Sequence, residues 1–167
     1  KQANMQIKDN QSMIFDGIMA TTPTWKDIEF IRKNTKLPLI LKGITHPAYA
    51  KKAIEIGVNG IVVSNHGGRV LDTLVTTMDI LPRIVEVVDN KIPILLDGGI
   101  TRGTDILKAL ALGASAVMIG KPIMYALATA GALGVAHSLK ILKDELEIAM
   151  ALTGCKTLKD INKDILF

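Results

Sequence analysis

The sequence predicts an α/β fold in which four parallel strands alternate with helices. Four short runs rich in Ile, Val and Leu are continuously apolar, as strands covered on both faces must be. Segments with apolar residues at helical spacing lie between them, and strands alternating with helices of ~10–15 residues are typical of parallel βα units. A closed eight-unit (β/α)8 barrel takes ~250 residues. The four units predicted in this chain of 167 residues therefore amount to half of one.

The predicted elements follow one another in a regular order along the chain. The strands are expected near residues 38–41, 60–63, 92–96 and 116–119. Helices are expected at 25–34, 46–56, 73–88 and 102–112, and residues 123–152 are expected to form one or two more. Thr24 is a candidate N-cap for the first helix. Residues 1–22 have no helix or strand period, so we expect a long loop there.

Composition excludes several classes of protein. Apolar residues make up 49% of the chain and charged residues 22%, which excludes a disordered chain. The net charge of +4 comes without a dense run of Lys or Arg, so a nucleic-acid partner is not expected. The single cysteine, Cys155, excludes a disulfide framework and favours a reducing, cytoplasmic location. The apolar region 109–136 is interrupted by Lys121 and by glycines, so we expect buried core there and no transmembrane segment.

Two successive predicted strands end in glycine turns that lead into helices. Asp97-Gly98-Gly99 follows the third strand, and Gly120-Lys121-Pro122 follows the fourth. Glycine lets the backbone approach a ligand closely, and a helix N-terminus offers unpaired N–H groups to an anion. Arg102 adds a second basic residue. Because the loops after the last two strands of such a barrel commonly bind phosphate, the two turns predict a phosphate site.

The first two strands also end in residues that carry chemistry. His66 and Arg69 follow the second strand within Ser64–Arg69; an imidazole can act as a base near neutral pH, and a guanidinium fits a carboxylate. Lys42 ends the first strand, where an anionic or electron-accepting ligand would balance its charge. The alternatives are a loop histidine beside a solvated arginine, and a lysine that extends to the surface.

Together these motifs resemble the FMN-dependent 2-hydroxy-acid oxidases and dehydrogenases, the family of glycolate oxidase, lactate oxidase and flavocytochrome-type L-lactate dehydrogenase. The matching stretches are 41–44, 63–69, 71–72, 96–113, 120–122 and 150–155, of which the His-Gly-Gly-Arg stretch is the most specific. The resemblance implies the C-terminal half of a (β/α)8 TIM barrel at residues 23–167, with residues 1–22 as the loop joining the two barrel halves. It also implies FMN as the cofactor.

The resemblance assigns a role to each candidate residue. Lys42 would lie near N1 and O2 of the flavin and stabilise the anionic reduced ring, and Ser64 would hydrogen-bond the flavin. His66 would take the proton of the substrate hydroxyl as hydride passes to flavin N5, a carbanion route being the older alternative. Arg69 would hold the substrate carboxylate. The remaining cofactor-binding candidates are Asp97, Gly98, Gly99, Ile100, Thr101, Arg102, Gly120 and Lys121.

Two features depart from the family pattern. Thr101 and Lys121 stand where the family usually has arginine, so a hydroxyl and a point charge replace two bidentate groups. We therefore expect weaker FMN retention than is usual. The first four βα units of the family are not in this chain, so we expect a missing N-terminal half or a second copy to cover the open sheet edges. The family resemblance also implies a homo-oligomer.

The sequence leaves two functions open. The first is FMN-dependent oxidation of a small L-2-hydroxy acid, such as lactate or glycolate, to the 2-oxo acid. The second is a non-catalytic half-barrel that binds phosphate or flavin. Another FMN or phosphate barrel is less favoured, because those families do not combine residues like His66 and Arg69 in this way.

Overall fold

The computed structural model describes residues 9–166 and contains one four-stranded parallel sheet. The strands are β1 (Ile40–Lys42), β2 (Gly60–Ser64), β3 (Ile94–Asp97) and β4 (Ala116–Met118). Their order in the sheet is their order in the chain, and every neighbouring pair is parallel. The predicted α/β fold of four parallel βα units is confirmed. The carboxyl ends of all four strands, which carry the motifs, consequently meet at one edge of the sheet.

Five α-helices accompany the strands in the described part of the chain. They are α1 (Trp25–Asn34), α2 (Pro47–Ile56), α3 (Thr77–Val88), α4 (Gly103–Ala111) and α5 (Lys121–Leu152). A π-helical turn (Met13–Ile18) and three 3-10 turns (Met19–Thr21, Leu158–Asp160 and Lys163–Ile165) complete the secondary structure. The chain divides into two compact units, the first ending at Leu37 and the second beginning at Pro38. The sheet and the candidate site lie entirely in the second unit.

The N-terminal unit differs from the loop expected over residues 1–22. Residues 13–21 form two short helical turns, which begin where the Ser12 hydroxyl accepts a hydrogen bond from the Phe15 N–H at 3.1 Å. Polar side chains hold this turn, so the apolar pattern carried no sign of it. Residues 1–8 of the expected loop lie outside the described residues. Thr24 caps α1 as expected, with its N–H and hydroxyl both donating to Asp27 at 2.7 Å.

Three elements begin two or more residues later than the sequence predicts, for local reasons. The first and third strands begin at Ile40 and Ile94, each two residues later than expected. Prolines stand just before both starts, and proline has no N–H to give to a strand ladder. Helix α3 begins at Thr77 instead of residue 73, because the Thr76 hydroxyl caps it by accepting the Asp79 N–H at 3.2 Å.

The expectation of buried core over residues 109–136 is wrong for its second half. Met124 and Leu133 of α5 are 62% and 81% exposed. The pattern showed that these residues are apolar, but it could not show what covers them. By length and composition α5 is apolar enough to cross a membrane, which for one helix is weak evidence. Its helical geometry is also interrupted at Ala130 and Gly131, whose φ angles are −146° and 57°.

The core lies between the sheet and the helices that pack on it. Ile61 and Val63 of β2, Leu81 of α3 and Leu96 of β3 are fully buried. A second apolar cluster joins α4, the end of α5 and the C-terminal turns, with these buried members: Leu107, Ala111, Ala149, Cys155 and Ile161. The first cluster packs β2 and β3 against α3, the second packs α4 against the end of α5, and the loops of the site extend from these elements.

Candidate active site

A cavity of about 560 Å³ lies at the carboxyl ends of β2, β3 and β4. Its volume is within the range of ~300–1,000 Å³ that is typical of small-molecule sites. Most of the residues singled out in the sequence line it together: His66, Arg69, Asp97, Gly98, Gly99, Ile100, Thr101, Gly120 and Lys121. The glycine turns and the His-Gly-Gly-Arg loop, which are far apart in the sequence, are therefore walls of one cavity.

The loop after β2 has an unusual backbone. His66, Gly67 and Gly68 have φ angles of 54°, 71° and 72°, a left-handed conformation that is uncommon and strained for a residue with a side chain. The His66 N–H donates to the Ser64 hydroxyl at 3.1 Å, and the Gly67 N–H donates to the Asn65 side-chain oxygen at 3.1 Å. These two bonds wind the chain around His66 as side-chain turn motifs do.

His66 also depends on a glycine at the end of β1. A Cβ atom at Gly43 would lie 3.4 Å from Cε1 of the His66 ring, and Gly43 has a φ of 97°. The imidazole therefore packs against bare backbone there. Any side chain at position 43 would be strained by that φ, and its Cβ would contact the ring.

A hydrogen-bonded triangle of Lys42, Ser64 and Asp97 spans three strands, and Asp97 also lines the cavity. Lys42 Nζ donates to Ser64 Oγ at 2.8 Å and contacts Asp97 Oδ2, and Ser64 Oγ donates to the same carboxylate at 2.6 Å. Burial raises the pKa of Asp97, but the hydrogen bonds from Lys42 and Ser64 and the charge of Lys42 outweigh it, so the pKa lies below 3.8. Lys42 at the strand end is thus balanced by a carboxylate of its own chain.

Two carboxylates occupy the N-terminus of α4. Asp105 Oδ2 accepts the Thr101 N–H at 2.9 Å, the Thr101 hydroxyl at 3.1 Å and the Arg102 N–H at 2.9 Å. Glu145 of α5 accepts the Gly103 N–H at 2.8 Å and Nη1 of Arg102 at 2.9 Å. The structure therefore does not bring the Arg102 guanidinium into the cavity, and the hydroxyl of Thr101 is already engaged.

These contacts lower the pKa of both carboxylates. Burial raises the pKa of Asp105, but hydrogen bonds from the backbone of Thr101 and Arg102 outweigh it, and the pKa lies below 3.8. The backbone hydrogen bond from Gly103, followed by the bond from Arg102, lowers the pKa of Glu145 below 4.5. Both groups consequently stay ionised at the helix N-terminus, where negative charge is stabilised.

The turn into α5 is arranged differently. Lys121 Nζ donates to the carbonyl oxygen of Gly67 at 2.9 Å, which connects this turn to the loop of His66. Within residues 9–166, no hydrogen bond engages the N–H groups of Gly99, Ile100 or Gly120. The cavity wall therefore offers free backbone donors and a cation, which suits an anionic ligand.

Several other residues of the cavity wall carry no role predicted from the sequence. Asn65, Thr76, Thr77, Met78, Met118 and Pro122 also line it. The Thr77 hydroxyl, nearly fully buried, donates to the carbonyl of Gly98 at 3.1 Å. Asn65 Oδ1 lies 3.1 Å from the position of a Cβ at Gly98, so only glycine fits there without displacement. The pair Thr76-x-x-Asp79, a helix-start signature, was the signal that could have located the start of α3 at the cavity.

Comparison with known sequences and structures gives a consistent result. The sequence model of the family described as FMN-dependent dehydrogenase matches residues 1–167. A peroxisomal (S)-2-hydroxyacid oxidase of Arabidopsis thaliana is 55% identical over 141 residues, which are 84% of this chain and 39% of that protein. An L-lactate oxidase of Roseobacter sp. is 46% identical over 160 residues, 96% of this chain and 43% of that protein. The chain thus spans about two fifths of these relatives.

Solved structures of mandelate oxidase share the fold. One that carries a monooxide FMN adduct superimposes with a TM-score of 0.81 at 47% identity, covering 84% of this chain and 45% of that one. A complex of mandelate oxidase with (S)-2-phenylpropionate gives the same TM-score and identity, covering 42% of that chain. The four βα units therefore correspond to a part of a TIM-barrel flavoenzyme.

Proposed function

The chain belongs to the FMN-dependent dehydrogenase family, and we propose that it carries the catalytic machinery for oxidising a small L-2-hydroxy acid to the 2-oxo acid. FMN is the cofactor of the family. The proposal depends on one observation: His66 and Arg69 line the same cavity as the two glycine turns. A base, a carboxylate-binding group and an anion-binding surface are thereby within reach of one ligand pair.

The residues of the cavity fit FMN. The free N–H groups of Gly99, Ile100 and Gly120, with the cation of Lys121, would hold the phosphate. Asp97, at the end of β3, would hydrogen-bond the ribityl hydroxyls through the carboxylate that its lowered pKa keeps ionised. When bound, FMN supplies the acceptor for the hydride of the substrate.

His66 and Arg69 would act on the substrate. The guanidinium of Arg69 binds the carboxylate of the acid through two parallel hydrogen bonds and so fixes the position of the neighbouring carbon. The His66 imidazole takes the proton of the 2-hydroxyl group. Lys42, which is paired with Asp97 of the cavity wall, would contribute a positive charge near the cavity, and this charge favours negative charge that develops on a bound ligand.

The function is tested by anaerobic mixing of the FMN-loaded protein with L-lactate, glycolate or mandelate. We expect the visible absorbance band of the flavin to bleach, and His66→Asn to slow bleaching at least ~100-fold while leaving FMN bound. Equal bleaching by the His66→Asn variant would contradict the assignment of the base. If the protein binds FMN but no 2-hydroxy acid bleaches the flavin absorbance, the result would favour a non-catalytic half-barrel that binds flavin.

The open edges of the sheet indicate a further chain segment or subunit. Strands β1 and β4 each have one neighbour, and Ile40 of β1 is 50% exposed. We propose that a companion N-terminal half, as in the longer relatives, or a second copy of this chain covers these edges and completes a barrel. Light scattering distinguishes a second copy, at twice 18.0 kDa, from a monomer.

The cytoplasm is the proposed location. The one cysteine, Cys155, is free and buried, so the chain requires no oxidising compartment. One relative is named as peroxisomal, and microscopy of a tagged protein separates the two locations.

A further inference from the structure

We propose that Ser64 is a positioning residue, which sets the backbone conformation of His66 and thereby the direction of its imidazole. The proposal deepens the proposed function, because it takes His66 to be the base. It assigns Ser64 a different task from the hydrogen bond to flavin that the family resemblance implies.

The hydrogen-bonding capacity of Ser64 is fully used within the chain. A serine hydroxyl has one donor and accepts at two lone pairs. Ser64 Oγ donates to Asp97 Oδ2 at 2.6 Å, and it accepts from Lys42 Nζ at 2.8 Å and from the His66 N–H at 3.1 Å. The residue is 1% exposed and does not line the cavity. In this arrangement all three hydrogen bonds of the hydroxyl are made within the chain.

The bond to His66 acts where the backbone needs support. His66 has a φ of 54°, a conformation that persists in a residue with a side chain only when its surroundings impose it. The N–H that fixes this conformation donates to Ser64, two residues earlier. Without the hydroxyl, that N–H would lose its partner and the residue could relax to a negative φ.

Ser64 is itself held from both neighbouring strands. Asp97 on β3 accepts its proton, and Lys42 on β1 donates to its oxygen. Side chains on the two neighbouring strands therefore fix the position of the Ser64 hydroxyl. Through its bond to the His66 N–H, the hydroxyl in turn fixes the backbone of His66, although that residue lies in a loop. Asn65 supports the next residue through its bond to the Gly67 N–H, but its own amide contact, to the carbonyl of Val75, is long at 3.5 Å.

The first test compares Ser64→Ala with a matched control. Ser115→Ala also removes a hydroxyl that accepts a backbone N–H, that of Ile94 at 3.2 Å, but at the opposite end of the sheet. We expect amide hydrogen exchange of His66, followed by NMR, to become about tenfold faster in Ser64→Ala and to be unchanged in Ser115→Ala. An unchanged exchange rate in Ser64→Ala would overturn the proposal.

The second test separates positioning from flavin binding. In FMN-loaded protein, we expect Ser64→Ala to lower kcat about tenfold with KM for L-lactate and the Kd of FMN within about threefold of wild type. Ser64→Thr, which keeps the hydroxyl, should recover the exchange rate and kcat. If Ser64→Ala does not fold, Ser64→Cys, a weak hydrogen-bond acceptor, takes its place. A large loss of FMN affinity with normal kcat at saturation would make Ser64 a flavin ligand instead.

The failure of this proposal is distinguishable from failure of the proposed function. The exchange rate of the His66 amide requires no turnover. If wild-type protein binds FMN but no 2-hydroxy acid reduces it, the oxidation function fails, and the exchange comparison still decides what Ser64 does.

Discussion

The turns after β3 and β4 share a sequence pattern, yet they differ in what they offer to a ligand. Each strand ends in glycine and leads into a helix, α4 at Gly103 and α5 at Lys121. At α4, carboxylates of the chain itself, Asp105 and Glu145, take the N–H groups of the turn. At α5 the approach to the helix carries a free N–H at Gly120 and a cation.

The difference shows that a helix N-terminus binds an anion only when the protein leaves it open. Phosphate approaching the first turn of α4 would meet the negative charges of Asp105 and Glu145. The free N–H donors of the connection between β3 and α4 lie before the helix, at Gly99 and Ile100. The α4 turn thus contributes its glycine loop to the cavity, whereas the α5 turn contributes its helix start and its lysine.

The largest expected effect is on the free energy of unfolding, and it comes from the close packing of α4 on α5 at Gly103. A Cβ at Gly103 would lie 2.2 Å from the backbone nitrogen of Leu146, so α4 and α5 could not keep their present contact. We expect Gly103→Ala to lower the free energy of unfolding by about 3 kcal/mol or more, measured by urea denaturation. The control is Gly120→Ala, where a Cβ meets no atom within 4 Å and a loss below about 1 kcal/mol is expected. If Gly103→Ala and Gly120→Ala lowered the free energy of unfolding equally, the two turns would be packed alike.

The second effect concerns FMN affinity at the α5 turn. Lys121→Met removes the cation at the α5 turn, and we expect the Kd of FMN to rise about tenfold, because one charge-assisted hydrogen bond is lost. Lys121→Arg restores the fork that the family usually has, and it should tighten binding about threefold. Fluorescence quenching of FMN measures both. If Lys121→Met bound FMN as wild type does, the α5 turn would not be the phosphate contact.

The third effect is the pH dependence of the α4 cap. The pKa of Asp105 is lowered, so its contribution to stability is present above about pH 4 and is lost as the pH falls through the lowered value. Asp105→Ala should be less stable than wild type by about 1 kcal/mol at pH 7, and the difference should narrow below about pH 4. Thermal unfolding from pH 7 to 3 measures it.

Asp144→Ala is the matched control for that experiment. Asp144 pairs with Lys140 at 2.6 Å on the exposed face of α5, and solvent screening leaves such pairs with little effect on stability. A constant difference between Asp105→Ala and wild type at all pH values would show that the lost cap is not electrostatic.

The smallest expected effect is at Arg102. Its guanidinium is bound to Glu145 outside the cavity, so Arg102→Met should change the Kd of FMN by less than about twofold. The same fluorescence titration applies, with Lys121→Met as the comparison. A loss as large as that of Lys121→Met would show that Arg102 leaves Glu145 for the phosphate, and the contrast between the two turns would fail.

The sequence predicts the sheet well because its signal is local. A continuously apolar run such as 60–63 is what a doubly covered strand requires, and β2 is buried throughout. Element ends were harder to predict, since single residues decide them, as Thr76 does for α3. The exposure of the first part of α5, at Met124 and Leu133, could not be predicted at all, because apolar spacing does not say which surface is covered by a partner.

For the site, the sequence predicts which loops meet but not the hydrogen bonds among their residues. His66 and the glycine turns follow strands whose carboxyl ends share one edge, so their meeting follows from topology. The hydrogen-bond partners of Arg102 and Ser64 do not follow from topology in this way. Glu145 is 43 residues away from Arg102, and Asp97 is 33 residues away from Ser64. Such pairs depend on strand register and helix packing, which spacing alone does not encode.

The break in α5 separates the cavity from the helix interface mechanically. The helix before Ala130 and Gly131 begins at the lysine of the cavity wall, whereas the helix after it holds Glu145 and packs on α4. A continuous rod would transmit any tilt at its first turn to its far end. Because the chain leaves helical geometry between the two segments, the packing of the second segment on α4 at Gly103 does not fix the direction of the first segment, which begins at Lys121.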